Sequence, residues 1–375
     1  MNWPAPPLVF QETPDYWISP DRCATAPRVT VVIPCFRAAD TLMRAVYSAL
    51  SQSLRDIEVI VVDDMSTDDS WDLITTLLPR DRRIRALRNK QNGGKSIGMN
   101  RAIAVARGRW LAVLDADDWY DPERLAVLVS AAEAQNVDMI ADNQSFYDAG
   151  AHKLVGTAWP AGAAVWTLSL DDFLIGSHAY ETFNFGMLKP VIRMDFIRAS
   201  GLTYEVKARH GQDFFYLLQF FTHGGKAAVC DAPHYYYTQP FGTASRCWSH
   251  QSRKRYDFQT AYDVNRTYLQ NAAAIVTQAQ LRKLEARTRR LHNLEHYYAA
   301  KDMLAAGRTA LALKHALRHP NIIGYALHRL LTKALGARMT PNVTKIAARR
   351  RGRNVAATAR PASLPDISCA DHSTR

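Results

Sequence analysis

The residues best placed to do chemistry in this chain are acidic and crowded. Trp110 to Leu114 is an apolar run that reads as a buried strand, and it stops in Asp115, Asp117, Asp118 and Asp121. Pro122 stands at a first helical position with Asp121 before it as the N-cap, so the stretch is a strand, an acidic turn and a helix. Carboxylates this close repel by roughly 1 kcal/mol per pair in water and about 4 kcal/mol at the effective dielectric of a protein surface. A cation among them relieves that repulsion; the plain alternative is a solvated loop with a capping Asp. A second acidic turn, Asp63-Asp64, ends the run Ile57 to Val62. Asp213 opens a helical pattern whose apolar face is Phe214, Leu217, Leu218 and Phe221. An Asp at a helix start is also common for electrostatic reasons alone. The elements that carry these groups must decide.

Val29 to Ile33 is a β-branched strand stopped by Pro34, Thr41 to Gln52 has helical spacing, and Ile57 to Val62 is a second strand. A helix over Ser70 to Leu78, a short strand Ile84 to Leu87 and a helix over Ser96 to Ala106 come before the opening stretch. Strands apolar throughout, alternating with amphipathic helices, define an α/β fold with a mostly parallel sheet covered on both faces. Right-handed crossovers deliver the strand C-termini to one edge, where ligands bind. Pro34-Cys35-Phe36, Asp63-Asp64 and Asp115-Ala116-Asp117 each follow a strand and therefore converge there. The usual Gly-rich dinucleotide and P-loop cradles are absent. Asn92-Gly93-Gly94-Lys95, at a helix start, can hold an anion through backbone N–H groups and Lys95, or can be an ordinary glycine turn.

Composition narrows the class. The chain has 375 residues, 47% of them hydrophobic, enough for one large or two ordinary domains. Its net charge of +12 is unevenly placed: from Val276 onward there are 19 Lys/Arg against 5 Asp/Glu, a balance of +14, which leaves the first 275 residues near −2. The five cysteines are scattered, without a C-x-x-C spacing, which fits a reducing compartment rather than a disulfide framework or structural zinc. None of the twelve histidines sits in a metal-ligand spacing such as His-Glu-x-x-His. With no signal-peptide pattern and no run of about 18 apolar residues, the expected location is cytoplasmic, with any membrane contact peripheral at the inner face of the plasma membrane.

Four motifs then carry a resemblance. Val29-Thr-Val-Val-Ile-Pro-Cys-Phe36, Ile60-Val-Val-Asp-Asp-Met-Ser-Thr-Asp68, Asn92-Gly-Gly through Asn100, and Leu114-Asp-Ala-Asp-Asp-Trp119 resemble, in order and spacing, the N-terminal half of family 2 glycosyltransferases. The resemblance implies the GT-A fold, a nucleotide-sugar half fused to an acceptor half around one mixed sheet, with helices on both faces. It also implies inverting transfer of a hexose from a nucleotide sugar, a UDP-sugar by the motifs, with Mg2+ or Mn2+ as cofactor. Carried over by motif, Pro34 and Phe36 lie beside the base, Asp64 hydrogen-bonds the uracil-like edge and Asp63 is next to it. Asp117, with Asp115 and Asp118, holds the ribose and the metal on the diphosphate. Asp213 is the general base, with Gln212 beside it where the family more usually has Glu. Gly98-Met99-Asn100 departs from the family's Ala-Arg-Asn, so the phosphate contact of that Arg either passes to Lys95 or Arg101 or is lost. The loop after Tyr235 resembles the family's mobile loop, in which Arg246 and His250 can neutralise a diphosphate.

The implied layout is a lead-in over 1–28, a catalytic domain over 29–250 divided at 145, a basic helical appendage over 251–340 and a disordered basic tail over 341–375. The acceptor half is similar to bacterial exopolysaccharide transferases of the succinoglycan type, so a saccharide or lipid-linked saccharide acceptor is expected, such as a polyprenyl-diphosphate-linked oligosaccharide of exopolysaccharide, capsule or lipopolysaccharide synthesis. The basic helices read either as a solvated appendage or as a hold on an anionic membrane leaflet. Nucleic acid is not expected, since no binding module accompanies the basic residues. A nucleotidyltransferase and a non-catalytic sugar-nucleotide-binding scaffold are the rival classes.

Overall fold

A computed structural model of the chain describes residues 9–22, 25–177, 183–247, 249, 257–272, 274–334 and 342–357. Two short strands, β1 (Gln11–Glu12) and β2 (Tyr16–Ile18), precede β3 (Val29–Cys35), α1 (Ala39–Leu50), β4 (Ile57–Asp63) and α2 (Ser70–Leu77). Then come β5 (Ile84–Asn89), α3 (Lys95–Val105), β6 (Trp110–Val113), β7 (Trp119–Tyr120) and α4 (Arg124–Ala134). The second half holds β8 (Met139–Asp148), β9 (Lys153–Thr157), β10 (Val165–Leu168), α5 (Leu170–Gly176), β11 (Val191–Arg193), α6 (Met194–Ser200), α7 (Gln212–Thr222) and β12 (Ala227–Thr238). Five helices follow: α8 (Phe258–Ala272), α9 (Gln278–Ala305), α10 (Thr309–Arg318), α11 (Asn321–Ala334) and α12 (Asn342–Ala357).

All strands belong to one mixed sheet. Its spine runs β1-β2-β5-β4-β3-β6-β11-β8-β12-β10. β5, β4, β3 and β6 are parallel, and β11 is antiparallel between β6 and β8. Alternation along β3 explains why the sheet is apolar on both faces. Val29, Val31 and Ile33 point into a core made with α1, α2 and α4, while Val32 points into the core made with α3 and α7. The parallel strands therefore end at one edge, with Cys35, Asp63 and Leu114 at their tips, as the residue pattern requires. The division at 145 falls inside β8, so the two halves share a strand.

The lead-in joins the body rather than trailing from it: Tyr16–Ile18 pairs antiparallel with β5. Its aromatics are pinned, Phe10 against Trp71 at 5.4 Å and Tyr16 beneath the Arg101 guanidinium at 5.2 Å.

One buried ion pair fastens the acidic turn to the second half. Arg124 and Asp142 are both inaccessible to solvent, and the guanidinium donates to both carboxylate oxygens and to the Lys189 carbonyl. Removing one partner of such a pair leaves an uncompensated buried charge, which costs about 3–5 kcal/mol. Arg124→Met is expected to lose stability on that scale in urea unfolding, and Arg124→Met/Asp142→Leu to regain part of it. A single variant as stable as wild type would contradict this assignment.

The C-terminal region departs from expectation. Residues Asn342–Ala357, read from sequence as part of a disordered tail, form α12. Val343, Ile346 and Ala347 insert into the main core, with the spacing of one helix face. Arg349 and Arg350 pair with Asp172, and Arg351 with Asp231, two carboxylates buried in α5 and β12. The basic composition that reads as a solvated tail is matched by buried acids far away in sequence. Residues 358–375 lie outside the described part.

Candidate active site

The C-terminal edge of the sheet holds a pocket lined by Pro34, Phe36, Asp64, Gly94, Lys95, Asp115 and Asp117, among others. Each expected turn thus contributes to it. Asp64 organises the pocket's wall. Its carboxylate accepts from Asn89 Nδ2 at 2.8 Å and from the N–H groups of Gly93 and Gly94 at 2.8 and 2.7 Å. Gly94 has φ +84°, a backbone conformation that residues with a Cβ rarely adopt, so glycine is favoured at this turn. Lys95 then opens α3 beside the pocket. Hydrogen bonds to a charged group contribute about 1.5–3 kcal/mol each. Asp64→Ala, which releases three donors, is expected to weaken ligand binding in this pocket about tenfold or more. Calorimetry checks this, and unchanged affinity would contradict it.

Asp115 and Asp213 are brought together by two lysines. Lys95 Nζ lies 2.8 Å from Asp115 and 3.2 Å from Asp213, while Lys189 Nζ lies 2.6 and 2.7 Å from the same two carboxylates. Burial opposes the charge on Asp115, yet Lys189 and Lys95 outweigh it and hold the carboxyl well below its usual range. Burial likewise opposes the charge on Lys189, and Asp115 and Asp213 outweigh it, so its pKa is held well above the ordinary value. Asp213 reaches this position because Gly211, at φ +73°, turns the chain immediately before α7.

Asp117 differs from its neighbours. Its backbone carbonyl accepts from Arg44 Nη2 at 2.7 Å and Thr238 Oγ1 at 2.5 Å, but among the described residues no side chain donates to its carboxylate. Burial, then the Asp115 charge, pushes its pKa up to about 6. An acid at the pocket wall, short of partners and disfavoured as an anion, is a fitting ligand for a cation. Mg2+ is usually bound by one or two carboxylates together with substrate phosphates, so a single carboxylate in this position could hold such an ion.

Several expected site residues do other work. Asp118, expected to hold metal or ribose, is buried and accepts from Tyr235 Oη at 2.6 Å and Thr238 N at 2.7 Å. Both of its oxygens are spent on locking the turn to β12. Asp63 does not line the pocket; it accepts from Ser66 N–H and lies 3.2 Å from Arg88 Nε. Both oxygens of Asp115 are taken by the lysines, which leaves Asp117 as the carboxylate of the three that no side chain engages among the described residues. Gln212 donates to the Arg209 carbonyl at 2.9 Å, and Arg246 is exposed in a turn outside the pocket, at φ +59°. His250 lies outside the described residues.

Sequence reading missed Lys189, Tyr235 and Thr238. A single Lys between Leu188 and Pro190, immediately before a strand buried on both faces, was the available signal for the first. The other two act through a bulge: the register of β12 against β8 shifts between Cys230 and Tyr235, around Pro233. Proline cannot donate to a ladder and is tolerated at such bulges. Beyond it, Tyr235 and Tyr236 pair with β7, and Trp119 stacks on Tyr236 at 5.0 Å.

The chain is similar to several known proteins. Residues 30–176 match the model of glycosyl transferase family 2. Succinoglycan biosynthesis protein ExoO of Rhizobium meliloti is 30% identical over 322 residues, covering 84% of this chain and 90% of that protein. Succinoglycan biosynthesis protein ExoU of the same organism is 30% identical over 308 residues, covering 80% and 87%. A shorter match, 36% over 109 residues, covers 29% of this chain and 43% of the Escherichia coli UDP-Glc:alpha-D-GlcNAc-diphosphoundecaprenol beta-1,3-glucosyltransferase WfaP. In fold, the chain is similar to S. aureus TarS 1-349, crystallised with UDP-GlcNAc: TM-score 0.57 at 17% identity, covering 70% of this chain and 72% of that one. The chain belongs to glycosyl transferase family 2 and is a glycosyltransferase with a GT-A-like α/β fold. The expected family, fold class and enzyme class are borne out.

Proposed function

We propose that this enzyme transfers a hexose from a UDP-sugar, with inversion, to a hydroxyl of a lipid-linked saccharide in exopolysaccharide assembly. The observation that carries the reading is the sharing of Lys95 and Lys189 between Asp115, at the pocket, and Asp213, at the start of α7. It sets a candidate base beside a candidate diphosphate site. Asp213 accepts the proton of the acceptor hydroxyl as its oxygen attacks the anomeric carbon, and the UDP departs toward the pocket. Positive charge gathers on the sugar ring, as in glycoside hydrolysis, and no second carboxylate is needed as nucleophile. The β-linkage follows from an α-linked donor. Asp117 would hold Mg2+ or Mn2+, which when bound supplies neutralisation of charge on the leaving diphosphate. Lys95 adds positive charge at the same end.

The choice of UDP rests on the UDP-Glc donor of WfaP and on the UDP-GlcNAc ligand in the TarS crystal. The choice of acceptor rests on the diphosphoundecaprenol in the WfaP name and on the succinoglycan relatives. Incubating the enzyme with UDP-, GDP- and dTDP-sugars and a polyprenyl-diphosphate saccharide, with mass spectrometry of the products, tests both. The expected result is one added hexose with UDP donors. Transfer only from GDP- or dTDP-sugars, or only to free saccharides, would overturn the respective part.

Such an acceptor places the enzyme at a membrane surface. No helix of the described residues is long and apolar enough to cross one. The proposal is a peripheral hold through α10 and α11, where Leu311, Leu313, Leu317, Ile323 and Leu327 are each more than half exposed, beside Lys314 and Arg318. Apolar side chains over a basic surface suit an anionic leaflet. Leu313→Ser/Leu317→Ser is expected to reduce flotation with phosphatidylglycerol vesicles severalfold at unchanged melting temperature. Equal flotation of variant and wild type would contradict the proposal.

A further inference from the structure

The appendage brings four histidines together. α9 and α10 form an antiparallel hairpin through a turn at Gly307, whose φ is +72°. His292 and His296 lie one turn apart on α9; His315 lies in the last turn of α10, and His319 caps its C-terminus. The chain therefore contains the i, i+4 spacing twice, in His292-Asn-Leu-Glu-His296 and His315-Ala-Leu-Arg-His319. The reading that no histidine sits in a metal-ligand spacing is corrected here: the pairs are separated by a hairpin and meet only when it folds.

One ring nitrogen from each of His292, His296 and His319 lies within 4.8 Å of the others. The His296 and His319 rings are stacked at 3.5 Å, and the His315 ring is 5.2 Å from His296 and 4.8 Å from His319. His315 Nε2 is buried and has no hydrogen-bond partner. All four residues are half-buried. Four imidazoles packed together cannot all be protonated without strong mutual repulsion, and as neutral rings they present lone pairs to one another. A shared Lewis acid resolves the arrangement. In a tetrahedral zinc site with Zn–N near 2.0–2.1 Å, ligand nitrogens stand about 3.4 Å apart, so binding would draw these nitrogens in from their present spacing of up to 4.8 Å.

We propose that His292, His296 and His319, with His315 as the fourth ligand, bind one divalent transition-metal ion of the zinc type and so fasten α9 to α10. The donor set separates this site from the catalytic pocket. Imidazole suits Zn2+, Cu2+ and Ni2+, whereas Mg2+ takes oxygen ligands. The ion would be structural, holding the hairpin that carries the exposed leucines of α10.

The test uses the untagged full chain, stripped with chelator and titrated with ZnCl2 by calorimetry, with CoCl2 as an optical probe. The expected result is one equivalent bound, a rise in melting temperature of several degrees, and visible d–d bands for Co2+ in a nitrogen-ligated tetrahedral site. His296→Gln and His319→Gln should each weaken Zn2+ binding at least about tenfold and abolish those bands, while Asp117→Ala retains both. Melting of each apo variant against apo wild type separates a lost ligand from a misfolded hairpin. Absence of stoichiometric Zn2+ binding by wild type would overturn the proposal, as would full binding by a folded His296→Gln/His319→Gln double variant.

Discussion

Asp213→Asn is expected to lower transfer 10²- to 10⁴-fold, the usual contribution of a positioned general base. The amide keeps the shape of the carboxylate and cannot accept the acceptor proton. It also removes a charge from between Lys95 and Lys189, so some loss of melting temperature accompanies the loss of rate. The two effects separate in kinetics. An interaction made only in the transition state lowers kcat and kcat/KM equally, whereas a disturbed donor site raises KM. Steady-state rates at saturating donor and acceptor check this, and a variant with more than about half of wild-type kcat would remove Asp213 from the role.

Lys189→Met is expected to be nearly as damaging, by a different route. Lys189 is 5% exposed, and its ammonium bridges Asp115 and Asp213. Without it, two carboxylates share Lys95 alone. Breaking a buried pair by removing one partner costs about 3–5 kcal/mol. The lower end applies here, since the Asp115 and Asp213 side chains keep 23% and 17% of their exposure. The predicted result is a stability loss of about 3 kcal/mol in urea unfolding, with transfer reduced at least a hundredfold in protein that remains folded. Lys189→Arg should not rescue either property, because a planar fork does not replace a compact ammonium at a bridging point. Wild-type activity in either variant would show that the bridge is dispensable.

Most of the nucleotide half was legible because its signals are local. An apolar β-branched run ending in Pro34, Asp63 or Asp115 announces both the strand and the edge it points to, and parallel topology then brings the tips together. The cap before α4 is displaced: Asp121, expected as the N-cap with Pro122 as the first helical residue, accepts from the Glu123 N–H at 3.0 Å, and the helix begins at Arg124 with Glu123 as its N-cap. What sequence could not assign was which carboxylate of a cluster is free. Asp117 and Asp118 are neighbours of one type, and only the bulged return of β12, some 120 residues later, makes Asp118 a structural anchor. The same limit hid the partners of the basic C-terminus. Arg349, Arg350 and Arg351 look like a solvated charge run until Asp172 and Asp231 are placed beneath them. The histidine hairpin is a third case, in which two unremarkable i, i+4 pairs gain meaning from a turn at Gly307. In each, the missing information is a long-range contact that sets the protonation or availability of a polar group.

The central claim is a division of labour: Asp117 serves the leaving diphosphate and Asp213 serves the acceptor. Calorimetry of UDP binding, with and without Mn2+, on wild type, Asp117→Ala and Asp213→Asn tests it most directly. Wild type and Asp213→Asn are predicted to bind UDP with the same affinity within about twofold and the same enhancement by Mn2+, since the base makes no ground-state contact with the nucleotide. Asp117→Ala is predicted to lose the Mn2+ enhancement. Enhancement retained in Asp117→Ala and lost in Asp213→Asn would contradict the account.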